Sequence, residues 1–258
     1  MLYYIEMRKL LFCTLIFPLV LLAQINESDT LNFKAKLALT GFWQGGNVET
    51  LIFRAKSDLS FKPWGNTVFK TQNSYVYQEF GKEKADEDIL SLNFLYFNPK
   101  RKIYPLLLGF VSTNFRREIN LRYLFGGGVT FQLLNKKKNW LKMSLSSEYE
   151  RTNFKETSFN TTRYNGEKSI NTLRGTIWLN GRYELVQNKM ILTHESYFQP
   201  SLIRGDNYRW QADFGLEFPI WKFLSIKGNY LHTFESIVVA DQKEEDQFLT
   251  LGFTLKTF

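Results

Sequence analysis

Cysteine is almost absent from this chain of 258 residues, which contains only Cys13. Cys13 lies in the apolar run near the start, so no cysteine occurs after residue 23. This excludes disulfide bonds, thiol catalysis and thiolate metal ligands for the remainder of the chain. Proline is also scarce, with six residues, whereas aromatic residues make up 17% of the sequence.

Long apolar runs are missing after residue 23 as well. The richest stretch, Ile103 to Val111, is short and is interrupted by Pro105 and Gly109. A membrane-spanning helix needs about 20 consecutive apolar residues. Any insertion of this part of the chain into a membrane would therefore use strands.

The N-terminal residues have the layout of a secretory signal peptide. Arg8 and Lys9 precede an apolar run from Leu10 to Leu22, and Ala23 follows it. This run is too short for a spanning helix, but it fits the apolar core of a signal peptide with a small residue at the cleavage site. We predict that residues 1–23 are the signal peptide and that residues 24–258 form one exported domain.

Motifs for metal, cofactor or phosphate chemistry are absent too. The chain has two histidines, His194 and His232, and no HExxH, CxxC, phosphate-binding glycine loop or calcium loop. The triplet at residues 126–128 is all glycine, but it lies inside a strand pattern and indicates a bend or close strand packing. We expect no cofactor, no metal ion and no enzymatic activity.

What the sequence does have is strict alternation, most clearly from Ile119 to Leu133. Its odd residues are apolar or glycine, and its even residues are mainly polar or small. A period of two predicts a strand, and this one exceeds the roughly 9 to 11 residues that cross a bilayer in a barrel. We predict that the odd residues contact lipid and that Asn120, Arg122, Thr130 and Gln132 line the lumen.

The same alternation recurs along the chain and predicts an all-β fold, a transmembrane antiparallel up-and-down β-barrel of about 12 strands. The predicted strands are Asn32–Gln44, Val48–Lys62, Thr67–Phe80, Ile89–Asn98, Ile103–Thr113, Ile119–Leu133, Trp140–Arg151, Asn171–Leu185, Met190–Leu202, Tyr208–Phe218, Phe223–Glu235 and Gln247–Phe258.

The connections alternate between a short set and a set that includes three long polar segments, Gly81–Asp88, Thr152–Ser169 and Ser236–Asp246. Outer-membrane barrels have short periplasmic turns and longer outer loops, so we predict the outer membrane of a Gram-negative bacterium. Aromatic residues near the strand ends predict two interfacial girdles; they are Trp43, Tyr77, Phe80 and Tyr149 on one rim and Trp64, Trp140 and Trp221 on the other. The competing interpretation is a soluble sandwich with its aromatic residues packed inside.

The inward face carries charges of both signs. The candidate lumen-lining residues are Arg122, Glu148, Glu150, Arg174, Arg182, Asp213, Glu217 and Lys227. Unpaired charge in a dry interior is costly, so these groups need partners or water. Two interpretations follow, a salt-bridged interior that stabilises the barrel and a narrow, porin-like channel for small solutes. Trp178 also points inward, either to fill space or to stack on a solute.

One local pattern suggests an alternative function. His194 and Ser196 lie two residues apart and thus on one face of a strand, and Asn207 follows in the next loop. Outer-membrane lipid hydrolases use a His-x-Ser pair in which the histidine activates the serine. We therefore keep a lipid hydrolase as an alternative, together with a surface-binding barrel that docks a ligand on the loop Thr152–Ser169, through Phe154, Phe159 and Tyr164.

The formal charge of +8 raises the question of nucleic-acid binding. Its main clusters, such as residues 100–102 and 136–138, lie between predicted strands, where solvated turns explain them. No nucleic-acid recognition motif accompanies the charge. We expect no nucleic-acid partner.

Two segments resemble a known family. The first contains Thr40-Gly41 and Gly45-Gly46-Asn47-Val48-Glu49-Thr50, and the second runs from the Gln199-Pro200-Ser201-Leu202 turn to Leu251-Gly252-Phe253. They are similar to the opening strand and the C-terminal third of the YdiY-like, salt-induced outer membrane proteins. The resemblance implies an outer-membrane barrel without an established biochemical role, and the terminal Phe258 agrees with recognition by barrel-assembly machinery.

Together these patterns predict an envelope protein or a narrow small-solute channel in the outer membrane. Its expected partners are outer-membrane lipids, the barrel-assembly machinery during insertion, and small solutes.

Overall fold

The protein is described by a computed structural model over residues 27–28, 32–45, 49–136, 138–221 and 224–255. These residues form a single 12-stranded antiparallel sheet in which each strand pairs with the next in the chain. The elements are β1 Phe33–Gln44, β2 Thr50–Phe61, β3 Thr67–Phe80, β4 Glu83–Phe97, β5 Ile103–Asn114, β6 Ile119–Asn135, β7 Trp140–Phe154, a 3₁₀ helix at Thr162–Tyr164, β8 Ser169–Val186, β9 Met190–Pro200, β10 Tyr208–Pro219, β11 Leu224–Glu235 and β12 Glu245–Leu255. Within the described ranges, no helix has the length and apolarity needed to span a membrane.

The predicted antiparallel, up-and-down arrangement of about twelve strands is therefore confirmed. The signal peptide (residues 1–23), the turn residues 46–48 and the terminal Phe258 lie outside the described residues. The largest boundary difference concerns β4, which begins at Glu83 and not at Ile89. A two-residue turn with positive φ at Gly81 (59°) and Lys82 (68°) joins it to β3. Such a turn suits a hairpin, and the sequence hid it because residues 83–88 carry no apolar alternation.

The sheet curls so that distant strands meet across its interior. The Phe94 ring on β4 lies 5.7 Å from Trp178 on β8, and Arg122 on β6 pairs with Glu235 on β11. The Arg54 guanidinium on β2 lies 5.9 Å from the ring of Phe248 on β12. Strands from the two ends of the sheet order thus approach each other across one common interior.

Alternation along β6 separates this interior from the outer surface. Leu121, Phe125, Val129 and Leu133 are exposed outward, whereas Arg122, Thr130 and Gln132 are buried inside. The prediction is wrong at the start of the strand, because Ile119 is buried and Asn120 is exposed. A register shift between Ile119 and Leu121 inserts one residue there, which reverses the facing of the residues before it.

Aromatic residues occupy both rims of the outer surface. Trp43, Phe80 and Tyr149 are exposed near the long loops, and Trp64 and Trp221 are exposed at the short turns. Trp140, predicted for the second rim, is buried instead. It shares its face of β7 with Lys142, whose ammonium lies 5.4 Å from the indole ring. The even positions of β7 face the interior, so Trp140 packs inward.

The glycine triplet on β6 allows an unusually close approach to β7. A Cβ atom at Gly128 would lie 2.0 Å from the backbone oxygen of Leu145, and one at Gly126 would lie 2.1 Å from that of Ser147. Both distances are far below van der Waals contact, so only glycine fits without a backbone shift. The interpretation of the triplet as close strand packing agrees with this geometry.

We predict that Gly128→Ala lowers the free energy of unfolding by about 1–3 kcal/mol through overpacking. Gly109→Ala on neighbouring β5 is the matched control, because nothing lies within 4 Å of its added Cβ. Urea unfolding of the detergent-folded protein measures both variants. Equal effects of the two substitutions would contradict the close-packing explanation.

Candidate functional site

A continuous chain of ion pairs occupies the interior near the long loops, with Glu150 on β7 at one end. The Glu150 carboxylate accepts hydrogen bonds from Arg174 on β8 at 2.7 and 3.0 Å and from Arg209 on β10 at 2.7 Å. The Thr152 hydroxyl donates a further bond at 3.1 Å. All four side chains are buried. One carboxylate therefore holds two arginines from other strands, a strong, charge-assisted arrangement.

The chain continues through Arg122, which lies 3.9 Å from Glu150. Arg122 donates two hydrogen bonds of 2.7 Å to the carboxylate of Glu235 on β11. Arg117, in the turn between β5 and β6, lies 3.4 Å from Glu235 and 2.9 Å from Asp246 on β12. These pairs connect β6 with β11 and β12 across the barrel interior.

Arg116 extends the chain to the far side. Its guanidinium lies 3.3 Å from Asp246 and 3.1 Å from Asp86 on β4. We call the whole set the arginine network, defined as Arg116, Arg117, Arg122, Arg174 and Arg209 with Asp86, Glu150, Glu235 and Asp246. The sequence parity identified Arg122, Glu150 and Arg174, but it could not reveal the contributions of Arg116 and Arg117, because these lie in a turn.

Glu148 is buried on the same face of β7 as Glu150, two residues earlier, and has different partners. Its carboxylate accepts hydrogen bonds from the hydroxyl groups of Ser146 and Thr176. Within the described part of the chain, no arginine or lysine forms a salt bridge with it. Glu148 is thus satisfied by neutral donors and stands outside the arginine network.

The remaining candidate lumen charges lie nearer the short turns. Glu217 is buried and accepts a 2.7 Å hydrogen bond from the Ser225 hydroxyl; Lys227 is its register partner on β11. Arg182 is partly exposed and donates to the backbone oxygen of Lys138 at 3.0 Å. Asp213 is likewise partly exposed. The structure brings none of these four into the arginine network.

The two longest loops fold over the mouth of the barrel and together form what we call the cap, residues 155–168 and 236–244. The Asn160 amide donates to the Val238 oxygen at 3.0 Å, and the Ala240 amide donates to the Ser158 oxygen at 2.9 Å. These bonds join the loops in a short antiparallel bridge centred on Phe159 and Val239.

An apolar cluster fixes the cap to the strand ends; it consists of Ile119, Phe154, Phe159, Tyr164, Ile170, Ile237 and Val239. Phe159 stands edge-on to Phe154 with the ring centroids 4.9 Å apart. Phe154, Phe159 and Tyr164, predicted to dock a ligand at the surface, are therefore buried. That hypothesis is wrong for these side chains, because they hold the loop down on the barrel.

The opposite end of the interior contains a residue from before the first strand. Glu27 is buried, lies 2.9 Å from the Lys142 ammonium and accepts a 2.7 Å hydrogen bond from the Tyr104 hydroxyl. Burial by itself would raise the pKa of the Glu27 carboxyl, but the charges of Lys142 and Lys70 outweigh it and lower the pKa to about 2. Glu27 is thus ionised at neutral pH. No strand pattern covers it, so sequence reasoning missed it.

The middle of the interior is filled mainly by aromatic and apolar groups. Trp178 lies 5.7 Å from Phe94 and 5.3 Å from Tyr197, measured between ring centroids. Around it are Val68, Phe94, Tyr96, Tyr104, Leu106 and Leu108, all buried. Trp178 therefore fills space between β4 and β9, in agreement with the simpler of its two interpretations.

The three residues of the hydrolase alternative do not form one site. His194 and Ser196 share the outer face of β9, and the His194 ring stacks on Tyr183 at 5.7 Å. Asn207 is buried inside, where its side-chain oxygen accepts a hydrogen bond from Arg174. The register pairs Tyr208 with Pro200 and Ala212 with Ser196, so Ser196 and Asn207 lie roughly 13 Å or more apart along the strands. Among the described hydrogen bonds, none joins His194 to Ser196.

Metal binding has no structural support within the described ranges, since no group of three or more histidine, cysteine, aspartate or glutamate side chains is arranged to hold an ion.

We predict that Glu150→Gln lowers the free energy of unfolding by about 3–5 kcal/mol, because it leaves buried guanidinium charges without their counter-ion. Glu49→Gln is the control, since Glu49 forms an exposed 3.5 Å pair with Lys82 and exposed pairs contribute about 0–1 kcal/mol. Urea unfolding in detergent compares the two variants. A loss at Glu150 no larger than that at Glu49 would contradict a structural role for the network.

Comparison with solved structures finds the translocator domain of the autotransporter NalP from Neisseria meningitidis. The similarity covers 89% of this chain and 90% of that chain, with 13% sequence identity and a TM-score of 0.45. Agreement at this level carries no conclusion about function. A search of curated protein sequences gives no match.

One protein-family model matches residues 27–256, which include all twelve strands of the sheet. The chain therefore belongs to the family described as Protein of unknown function, DUF481.

Proposed function

We propose that this protein is an integral outer-membrane barrel of a Gram-negative envelope, exported by the signal peptide at residues 1–23, with an interior that is closed in its resting state. The observation that carries the proposal is the inverted distribution of side chains. Large apolar residues face outward, and charged residues are buried inside. Water-soluble proteins have the opposite arrangement, whereas membrane barrels require this one.

The outward apolar surface extends over many strands. Among its members are Leu51, Phe53, Ile103, Leu107, Val111, Phe125, Val129, Leu173, Ile177, Phe198, Phe214, Phe218 and Ile226. A continuous exposed surface of this size is an aggregation hazard in water, but hydrocarbon chains would cover it. The aromatic rims at both ends support the same orientation, because tryptophan and tyrosine favour the headgroup region. A soluble sandwich would explain neither the exposed apolar surface nor the aromatic rims.

Three features support a closed interior. The cap covers the end with the long loops, the arginine network and the aromatic cluster fill the space below it, and Glu27 occupies the opposite end. We propose a non-enzymatic envelope role, with outer-membrane lipids and the barrel-assembly machinery as partners and no nucleic acid. The resemblance to YdiY-like outer membrane proteins is part of this proposal.

A narrow channel for small solutes is the second candidate. It is favoured by two cavities along the interior, one lined by Arg122, Arg174 and Arg209 beneath the cap and one lined by Lys70, Trp178 and Glu195 in the middle. A path through them requires the cap to move. The hydrolase and the surface-docking alternatives have no comparable support, since their residues are separated or buried.

If the outer face of the barrel lies in lipid, arginine should destabilise the protein at a site on that face but not at an equally exposed site in a loop. Phe125 on the outer face of β6 and Ile203 in the loop after β9 are each 67% exposed. Phe125→Arg should lower the free energy of unfolding of the protein in lipid vesicles by about 2–4 kcal/mol, the cost of arginine at the bilayer midplane. Ile203→Arg should change it little. Similar small effects at both sites would contradict insertion of the β6 surface into lipid.

The closed state predicts that the wild-type protein conducts no steady ion current in planar bilayers. Phe159→Asp places a charge in the apolar cluster of the cap and should loosen it, with current as the result if the channel candidate is right. Thr157→Asp is the control, because it adds the same charge at an exposed position of the same loop. Heat-dependent mobility on gels verifies that each variant is folded.

A steady current through the wild-type protein would overturn the closed interior. A folded but silent Phe159→Asp barrel would exclude the channel and leave the envelope role.

A further inference from the structure

We propose that the end of the barrel with the short turns binds phospholipids with a net negative headgroup, through a contiguous band of basic side chains. The proposal rests on the proposed membrane location and deepens it by naming the lipid class that this end contacts. We call the band the basic rim; it consists of Lys100, Arg101, Lys102, Lys136, Lys138 and Lys189.

The first observation is that the short turns lack acidic residues. Nine basic residues and no aspartate or glutamate occur in these turns, which are residues 62–66, 98–102, 136–139, 187–189 and 220–223. The connections at the opposite end contain eight basic and seven acidic residues; they are residues 45–49, 81–82, 115–118, 155–168, 201–207 and 236–244. The excess positive charge of the connections is thus concentrated at one end of the barrel.

The second observation is that the cations of the basic rim have few counter-charges. All six side chains are exposed. Within the described ranges, Glu184 is the one carboxylate that pairs with them, 3.0 Å from the Lys138 ammonium. At the opposite end, exposed ion pairs join Lys82 to Glu49, Lys84 to Glu87 and Lys155 to Glu118. The basic rim therefore presents a net positive charge at the surface, whereas the loop end has paired charges.

The third observation is that the basic turns adjoin one another. The backbone amide of Gln132 on β6 donates to the Lys102 oxygen at 2.8 Å, which places the turn after β4 beside the end of β6. The chain then enters the turn after β6, where the Lys138 ammonium donates to the side-chain oxygen of Asn188 at 3.0 Å. Asn188 belongs to the turn after β8. The three turns thus form one band around the rim.

The fourth observation is the short distance between the basic rim and the apolar outer surface. Ile103, Leu133 and Leu185 are exposed on the strands next to the turns. Lys102 directly precedes Ile103, and Lys136 follows Leu133 by three residues. At about 3.3 Å per residue, these cations lie within roughly 10 Å of the apolar surface. The headgroup layer extends about 5–8 Å beyond the hydrocarbon, and flexible basic side chains extend toward it.

Two exposed tryptophans flank the basic rim, Trp64 in the turn after β2 and Trp221 in the turn after β10. Tryptophan favours the membrane interface, and basic residues at that level attract anionic headgroups. A soluble acidic partner fits this end less well, because turns of three to five residues hold their cations close to the apolar surface. The geometry therefore favours lipid over a soluble acidic chain.

The test measures the lipid selectivity of the full exported chain in phosphatidylcholine vesicles, with spin-labelled phosphatidylglycerol or spin-labelled phosphatidylcholine as the probe. Electron paramagnetic resonance gives the fraction of each probe that is immobilised against the barrel. We expect phosphatidylglycerol to be enriched about two- to five-fold, since the attraction of one basic side chain to an anionic surface corresponds to about five-fold. The enrichment should disappear near 1 M salt, where the screening length is about 3 Å.

Neutralising part of the basic rim tests its role directly. The variant that combines Lys100→Gln, Arg101→Gln and Lys102→Gln should lose about half of the enrichment or more, because it removes three adjacent cations from the surface. The control removes three cations at the opposite end and should keep the enrichment; it combines Lys82→Gln, Lys84→Gln and Lys155→Gln. Heat-dependent mobility on gels verifies that both variants are folded.

Equal immobilisation of the two probes, or an enrichment that the rim variant retains in full, would overturn the proposal. An enrichment that persists at high salt would do the same, which keeps the test decisive if the rim variant does not fold. Binding of soluble polyglutamate without phosphatidylglycerol enrichment would assign the basic rim to an acidic partner in place of lipid. All these results leave the membrane location intact, whereas failure to insert into phosphatidylcholine vesicles would contradict that location and this proposal with it.

Discussion

Pairing of buried charge is the constraint on which the rest of this structure depends. A barrel of twelve strands has an interior too wide for backbone contact and must fill it with side chains or water. Here charged side chains fill much of the interior. Buried charges are tolerated only when each one meets a counter-charge or a hydrogen-bond partner. Glu150 satisfies this condition by holding Arg174 and Arg209 together. β7, β8 and β10 are thereby connected through the interior as well as through the sheet.

The same constraint explains why both ends of the barrel are covered. Water entering from the long-loop end would compete for the arginine network and weaken its ion pairs, since screening is strongest where solvent is present. The cap, built on Phe159 and its apolar neighbours, covers that region. At the other end Glu27 provides a counter-charge for Lys142 on β7. Non-strand segments therefore complete the electrostatics of the sheet.

Much of the fold was predictable because a strand repeats every two residues. The parity of β6 separates outward Phe125 and Val129 from inward Arg122 and Thr130, and the recurrence of such parity predicts the number and order of strands. Two of the errors lie where parity stops. β4 starts in a polar stretch beyond the apolar band, and an inserted residue near Asn120 reverses the facing of the strand end. Trp140 has a residue type typical of an interface, yet its even position faces inward.

The candidate site was predictable only as a set of inward charges. Alternation by itself specifies which side of the sheet Arg122, Glu150 and Arg174 occupy, because pleating depends on neighbouring residues alone. It does not specify partners, since several of the pairs, such as Arg122 with Glu235, join strands that are far apart in sequence. The curvature of the sheet decides that Arg122 meets Glu235, that Asn207 faces Arg174 and not His194, and that the cap loops meet over the mouth. The sequence alone thus determines which residues face the interior, because pleating is local. Only the curled sheet determines which of those residues contact one another.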